Sequence, residues 1–313
     1  MDYVRLGRSG LVCSVLGLGG GSSSRFGLKK GGSRSDALQL IRTALDHGIT
    51  FFDGAGMSGG IDDLLAEGLA GRRQDVVLST KVHLGPDPLF TNAPLAHRTS
   101  SWMARRLGSV CSGSVLRKRV ERTLSTLRTD RLDVLQLHPV SPRQYPLAIT
   151  RVLPELLKMK EEGKVRAIGV TEEFLADPGH EMLRKASLDA HFDVIMVGFN
   201  VNNSGAAEFV LPAANKAGLG VIGMFALRQL MENPLSSNDL RRVAEDAGSS
   251  LSDLAYRYCR HHAGIDVVMT GTGNPAHLRT NIAAALAPPL ADSVLARLQQ
   301  RSADQADVAS TRK

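Results

Sequence analysis

Asp53, Lys81 and His138 each close a short apolar run: ITFFD over 49–53, VVLSTK over 76–81 and LDVLQLH over 132–138. A carboxylate, an ammonium and an imidazole gathered in one place form a proton-handling set. A lysine is costly to bury without a partner, so Lys81 at the end of an apolar run implies a nearby carboxylate, and Asp53 is the candidate. The bland reading of that pair is a structural salt bridge, and His138 by itself reads as a packed core histidine. Two further groups could join them. His83 lies two residues beyond Lys81, so on an extended strand it points to the same side, and an imidazolium is a competent acid near neutral pH. Tyr145, in the loop after His138, offers a phenol. For both, the plain alternative is a loop side chain without a chemical task.

These residues must be positioned by the elements that carry them. Each run reads as a buried strand leading into a polar loop. Eight such candidates recur along the chain: VLGLG (15–19), ITFFD, VVLSTK, LDVLQLH, VRAIGVT (165–171), DVIMVGFN (193–200), LGVIGMF (219–225) and DVVMTGT (266–272). Continuous apolar runs suit strands covered on both faces, as in a parallel sheet. Helical patterns lie between them. In residues 35–48, Leu38, Ile41 and Leu45 share a face; in 115–130, Leu116, Val120, Leu124 and Leu127 do. Gly48, Gly163 and Gly218 each precede a strand, where a left-handed helix cap belongs. Eight strands alternating with helices predict an α/β chain folded as a closed (β/α)8 TIM barrel, whose chemistry gathers at the C-terminal ends of the strands. The first strand is not followed by Gly-x-Gly-x-x-Gly, which disfavours a Rossmann domain.

The bulk properties agree. The 313 residues are read as one domain, with 43% hydrophobic and 22% charged residues and a net charge of +7. No run approaches the roughly 20 apolar residues of a membrane span, and the N-terminus lacks a signal-peptide stretch. Cys13, Cys111 and Cys259, few and widely spaced, point to a reducing cytoplasm, with no metal cluster expected. Arg117-Lys118-Arg119 is a dense basic piece, yet no nucleic-acid motif accompanies it, so an anionic small molecule is the more economical partner. The sequence gives no oligomeric state. Residues 82–113 form a long connection containing Arg98, Trp102, Arg105 and Arg106, and a loop of that length is usually functional, such as a lid, or else a surface insertion.

The strand-end set resembles that of the aldo/keto reductases, whose site combines an Asp, a Tyr, a Lys and a His. Their tyrosine follows the Asp in a segment like D-T-A-x-x-Y-G. Here the segment reads Asp53-Gly54-Ala55-Gly56-Met57-Ser58-Gly59, so Ser58 stands at the tyrosine position. The resemblance implies the (β/α)8 barrel, an N-terminal hairpin at DYVRLGRSGLVCS closing its bottom, and two extra C-terminal helices near 275–286 and 290–302. Residues 302–313 are expected to be a disordered tail.

It also implies NADP(H). Family members hold the nicotinamide carboxamide with Ser-Asn after the fifth barrel strand and Gln in the sixth, which here read Thr171-Glu172 and Met196. Met224 corresponds to the residue that stacks on the nicotinamide, and Asn200 matches as it stands. Gly271, Thr272, Gly273, His277, Arg279 and Asn281 resemble the family's loop and helix start for the 2′-phosphate and adenine, a natural anion site. Arg228 is expected near the diphosphate. In the family, a reduced nicotinamide delivers hydride to a carbonyl carbon while the tyrosine protonates the oxygen. Serine is a far weaker acid than phenol. The leading expectation is therefore an NADP(H)-dependent oxidoreductase on a carbonyl or alcohol with a modified acid–base site, in which Lys81, His138 or a bound water supplies the proton. Two alternatives stand beside it: a non-redox lyase or isomerase on the same barrel, and a catalytically inactive NADP(H)-binding regulatory protein.

Overall fold

Neighbouring residues of every barrel strand divide between two cores, and that division builds the molecule. The computed structural model describes the chain apart from residues 22–23, 57–59, 86–102, 104–105, 190, 228–229, 231–233 and 311–313. Strands β1 (Tyr3–Arg5) and β2 (Val12–Ser14) pair antiparallel. Eight parallel strands follow: β3 (Leu16–Gly19), β4 (Phe51–Asp53), β5 (Val77–Val82), β6 (Leu132–Val140), β7 (Val165–Glu172), β8 (Val194–Gly198), β9 (Gly220–Met224) and β10 (Val267–Thr270). They close in chain order, with β10 pairing back onto β3. The (β/α)8 barrel expected from the sequence is the fold.

Phe51, Val77, Val134, Ala167, Val194, Ile222 and Val267 fill the barrel interior. The next residues along, Phe52, Leu78, Leu135, Ile168, Ile195 and Val268, face outward into the larger core beneath the helices. This two-residue alternation explains why the runs are apolar throughout and not every second residue. The β1–β2 hairpin plugs the bottom, as its resemblance implied: Leu6, Leu11 and Cys13 join the inner cluster and are buried. Gly7 permits the close approach, because a Cβ there would lie 2.1 Å from the Gly220 amide nitrogen. Arg8 then donates its backbone N–H to Gly218 O at 2.7 Å.

The helices begin and end where local chemistry dictates. Arg34–Asp46 opens with a reciprocal capping box between Ser33 and Asp36, and Gly113–Leu127 opens with Ser112 accepting from the Val115 N–H. The latter buries Leu116, Val120, Leu124 and Leu127, the face its spacing predicted. Gly48, Gly163 and Gly218 all take positive φ ahead of strands. Two helices follow β10, Pro275–Leu286 and Asp292–Ser310. The second runs past 302, where the sequence reading ended it, to Ser310. Residues 302–310 carry several alanines and no glycine or proline, so nothing stops the helix there. Among the described residues, no helix is long and apolar enough to cross a membrane.

Candidate active site

Parallel register sets Asp53 of β4 beside Ser79 of β5, and Lys81 of β5 beside Gln136 of β6. The same alternation that sends Leu78 and Leu135 outward sends Ser79, Lys81, Gln136 and His138 to the barrel mouth. Lys81 Nζ donates to Asp53 Oδ2 and, at 2.9 Å, to Gly54 O. Below them runs a relay: Gln136 Nε2 donates to Ser79 Oγ at 2.9 Å, and Ser79 Oγ donates to Asp53 Oδ1 at 2.9 Å. Asp53 is 4% exposed and Lys81 7%. Burial pushes the Asp53 carboxyl up from its ordinary value, while the Lys81 ammonium and the Ser79 hydroxyl pull it back. Gly169 on β7 leaves space for this layer, since a Cβ there would meet Gln136 Cγ at 3.0 Å.

Ser79 and Gln136 escaped the sequence reading although a signal exists: each is a polar residue inside an apolar run, two places before a site residue. Asp62 was also missed. Buried, it accepts from the Ala55 N–H at 3.1 Å and from Thr80 Oγ1 at 3.2 Å, and so shapes the loop after Asp53.

His138 sits at a register shift in β6. Its Nδ1 and Thr171 Oγ1 share a hydrogen bond at 2.5 Å. The His83 ring meets it edge-on, with centroids 5.6 Å apart and planes at 63°. Asp53, Lys81, His138, Thr171 and His83 are thus brought together. Tyr145 does not join them. Its turn after β6 runs outward, and the ring is buried against Phe192 with its hydroxyl donating to Asp189 Oδ2 at 3.0 Å. Burial and that carboxylate push the phenol well above its usual range. Ser58, the residue at the tyrosine position, lies outside the described residues, as do Arg98, Trp102, Arg105 and Arg228. Of the basic residues of the long connection, Arg106 is described, and its carbonyl accepts from Arg143 Nη1 at 3.0 Å.

The positions expected to hold a nucleotide divide. Thr171 faces the mouth, but Glu172, one residue on, points the other way. It is 2% exposed, and it accepts from His180 Nδ1 at 2.8 Å and from the Gly198 N–H at 2.7 Å. Strand alternation thus turns the carboxylate of Glu172, the residue at the carboxamide position, towards an internal partner. Burial raises the Glu172 carboxyl, and Glu172 in turn keeps His180 protonated above its ordinary range. Asn200 is likewise engaged internally: Nδ2 donates to Phe225 O at 3.1 Å, and Oδ1 accepts from the Asn202 and Asn203 N–H groups. Met196 and Met224 line the top of the inner cluster beside Phe174. Phe225, next to Met224, is half-buried at φ +69°, a left-handed conformation that is costly for an aromatic residue.

At the far rim, Asn274 caps Pro275–Leu286 by accepting from the Ala276 N–H at 2.8 Å, and Thr272 Oγ1 accepts from the Asn274 N–H at 3.0 Å. His277 and Arg279 lie exposed on the first turns of this helix. Gly271 and Gly273 flank Thr272, and the loop after β3 packs onto Gly273, where a Cβ would lie 2.1 Å from Gly27 Cα. Asn281 is placed among internal partners. Its amide donates to Thr270 Oγ1 at 2.9 Å and Tyr256 OH at 3.3 Å and accepts from Ser252 Oγ at 2.9 Å, so it ties helix to strand.

Comparison with known proteins agrees with this architecture. Over 299 residues the chain is 25% identical to an L-galactose dehydrogenase of Arabidopsis thaliana, covering 89% of this chain and 86% of that one. Its fold is that of an aldo-keto reductase of Bacillus halodurans in its holo form, with a TM-score of 0.75 at 22% identity over 96% of each chain. It is also that of an aldo-keto reductase of Klebsiella pneumoniae solved with NADPH, with a TM-score of 0.71 at 22% identity over 96% of this chain and 95% of that one. The family model described as "Aldo/keto reductase family" matches residues 15–303. The chain belongs to the aldo/keto reductase family.

Proposed function

We propose that the protein is an NADP(H)-dependent oxidoreductase that interconverts a carbonyl compound and an alcohol at the barrel mouth, through an acid–base group without tyrosine. The observation that carries this reading is the Lys81–Asp53 pair set beside His138 on three adjacent strand ends. The family supports the oxidoreductase class, and the Klebsiella relative's NADPH supports the coenzyme.

The residues present fit that coenzyme at its phosphate end. Thr272, Gly273, His277 and Arg279 surround a helix N-terminus and would hold a 2′-phosphate, to which exposed cations and backbone N–H groups are suited. The apolar top of the inner cluster, Met196 and Met224 with Phe225 beside it, suits a flat ring. Glu172 is the departure, so carboxamide contacts would fall to other groups. When bound, the nicotinamide supplies or accepts hydride. The chain's own residues do the rest: Lys81 holds a positive charge at the mouth, Asp53 and the Ser79–Gln136 relay fix its position, and Thr171 fixes the ring of His138. In this reading the proton is handled at the mouth by Lys81, His138, His83 or a bound water.

A second reading has its own support. Glu172 and Asn281 are both turned to internal partners, which weakens the coenzyme case and leaves a proton-transfer site suited to a non-redox lyase or isomerase. Calorimetric titration with NADPH and then NADH separates the two. Tight NADPH binding with a preference over NADH, followed by NADPH-consuming turnover on a panel of aldehydes and ketones, supports the oxidoreductase. Failure to bind either nucleotide removes hydride transfer and leaves the lyase reading in front.

A further inference from the structure

We infer that His83 delivers the proton to the substrate oxygen, a role that rests on the oxidoreductase reading above and takes the place of the family's phenol. Four observations place it. Strand alternation continues past the end of β5: Val82 and Leu84 face outward into the core beneath the helices, so Lys81 and His83 share the inward side. The backbone there is held although the strand has ended. Arg119 Nη1 donates to His83 O at 2.6 Å and to Gly85 O at 2.8 Å, and the Cys111 N–H donates to Leu84 O at 2.7 Å. The His83 ring lies edge-on against His138, whose other side is pinned by Thr171. Tyr145, the other candidate acid, is buried against Asp189 and Phe192. Arg119, from the basic triplet of the helix Gly113–Leu127, thereby becomes a positioning residue that carries no chemistry itself.

The step balances simply. The carbonyl carbon gains the hydride that the proposed coenzyme supplies, and the C=O π pair moves onto oxygen. An O–H bond forms as a ring N–H bond of the protonated His83 breaks, leaving a neutral imidazole that regains its proton from solvent. In the alcohol-oxidising direction the same imidazole accepts the proton.

The test uses the full chain with NADPH and the best carbonyl substrate of the panel. His83→Gln keeps the size and one N–H but not the acid, and it should lower kcat by roughly 100-fold or more, the scale of a lost general acid. Its NADPH affinity in the calorimeter should match the parent's, which also shows that the variant folds. His83→Ala should regain turnover on addition of imidazole. As a readout apart from turnover, the ring-proton NMR signals of His83 should shift when acetate, a stand-in for the developing oxyanion, is titrated in. Undiminished kcat in His83→Gln, no rescue of His83→Ala, or unmoved His83 signals overturns the assignment. The failure of the broader reading looks different: a parent protein that binds no NADPH or turns over no carbonyl overturns the oxidoreductase reading and this inference with it.

Discussion

In the proposed function the chemistry turns on Lys81, whose side chain is held by geometry at the barrel mouth. Asp53 and Gly54 O occupy it from below, and Asp53 is itself held by Ser79 and Gln136. Lys81→Met keeps the length and removes the charge. It should lower kcat by about 10²- to 10⁴-fold while NADPH affinity, proposed above to rest on the far rim, stays within a few-fold; steady-state kinetics with calorimetry on the same preparation check both. A second residue-scale prediction concerns Glu172 and His180, buried against each other at 2.8 Å. His180 holds its proton above the ordinary histidine value of 6.5, and burial raises Glu172 as well. Both shifts mean that the folded chain binds protons more readily than the unfolded chain. The stability that His180 contributes is fully present below that value and is lost as pH rises through its folded pKa. His180→Gln should therefore cost the most, about 3 kcal/mol for a broken buried pair, near pH 6, and progressively less towards pH 9. Denaturant midpoints measured across that range check it, and a cost independent of pH would rule out a charged His180.

At the scale of elements, what was readable in the sequence followed from local repetition. Asp53, Lys81 and His138 were visible because an ionisable residue ends an apolar run, and barrel register then brings adjacent strand ends together. The helix ends ahead of strands were visible because Gly48, Gly163 and Gly218 act within a turn of themselves. The internal partners of Glu172 and Asn281 were not readable because they come from elsewhere: His180 from the following loop, Tyr256 and Ser252 from a different helix. A family position gives the residue type but not the direction of its side chain. Asp133 shows the same dependence on distant partners. At the start of β6 and 1% exposed, it accepts from Arg73 Nη1 at 2.7 Å, Arg166 Nη1 at 3.0 Å and the Leu78 N–H at 2.9 Å, and so joins β5, β6 and β7. Both arginines are partly exposed and can turn to water, whereas the Leu78 N–H cannot. Asp133→Ala should thus cost about 2–3 kcal/mol, chiefly for the buried donor left unmade, as read from urea unfolding. A loss under about 1 kcal/mol would mean that the strands need no such pin.

The whole molecule keeps stability and chemistry at opposite ends of one barrel. The hairpin packs Leu6, Leu11 and Cys13 into the bottom of the inner core, and the ionisable group sits at the top, with the middle layer of Val134, Ala167 and Val194 between them. In such barrels the strand C-termini carry function and the opposite face carries stability. The division was legible from the order of apolar runs, since the hairpin precedes the first barrel strand and Asp53, Lys81 and His138 each close their own run. It leads to a prediction that separates the two roles. Leu11 is 2% exposed and belongs to the inner cluster. Leu11→Ala removes its buried branch from a closed plug with little freedom to collapse, so it should destabilise the fold by about 2–5 kcal/mol. The mouth, held by its own relay and by backbone pairing along the strands, should not feel the change. At a temperature where both proteins are folded, NADPH affinity and kcat/KM of Leu11→Ala should equal those of the parent while its unfolding midpoint falls. A matching drop in kcat/KM would show instead that the barrel transmits packing at its bottom to the geometry at its mouth, and the site would then depend on the whole inner core and not on the three strand ends alone.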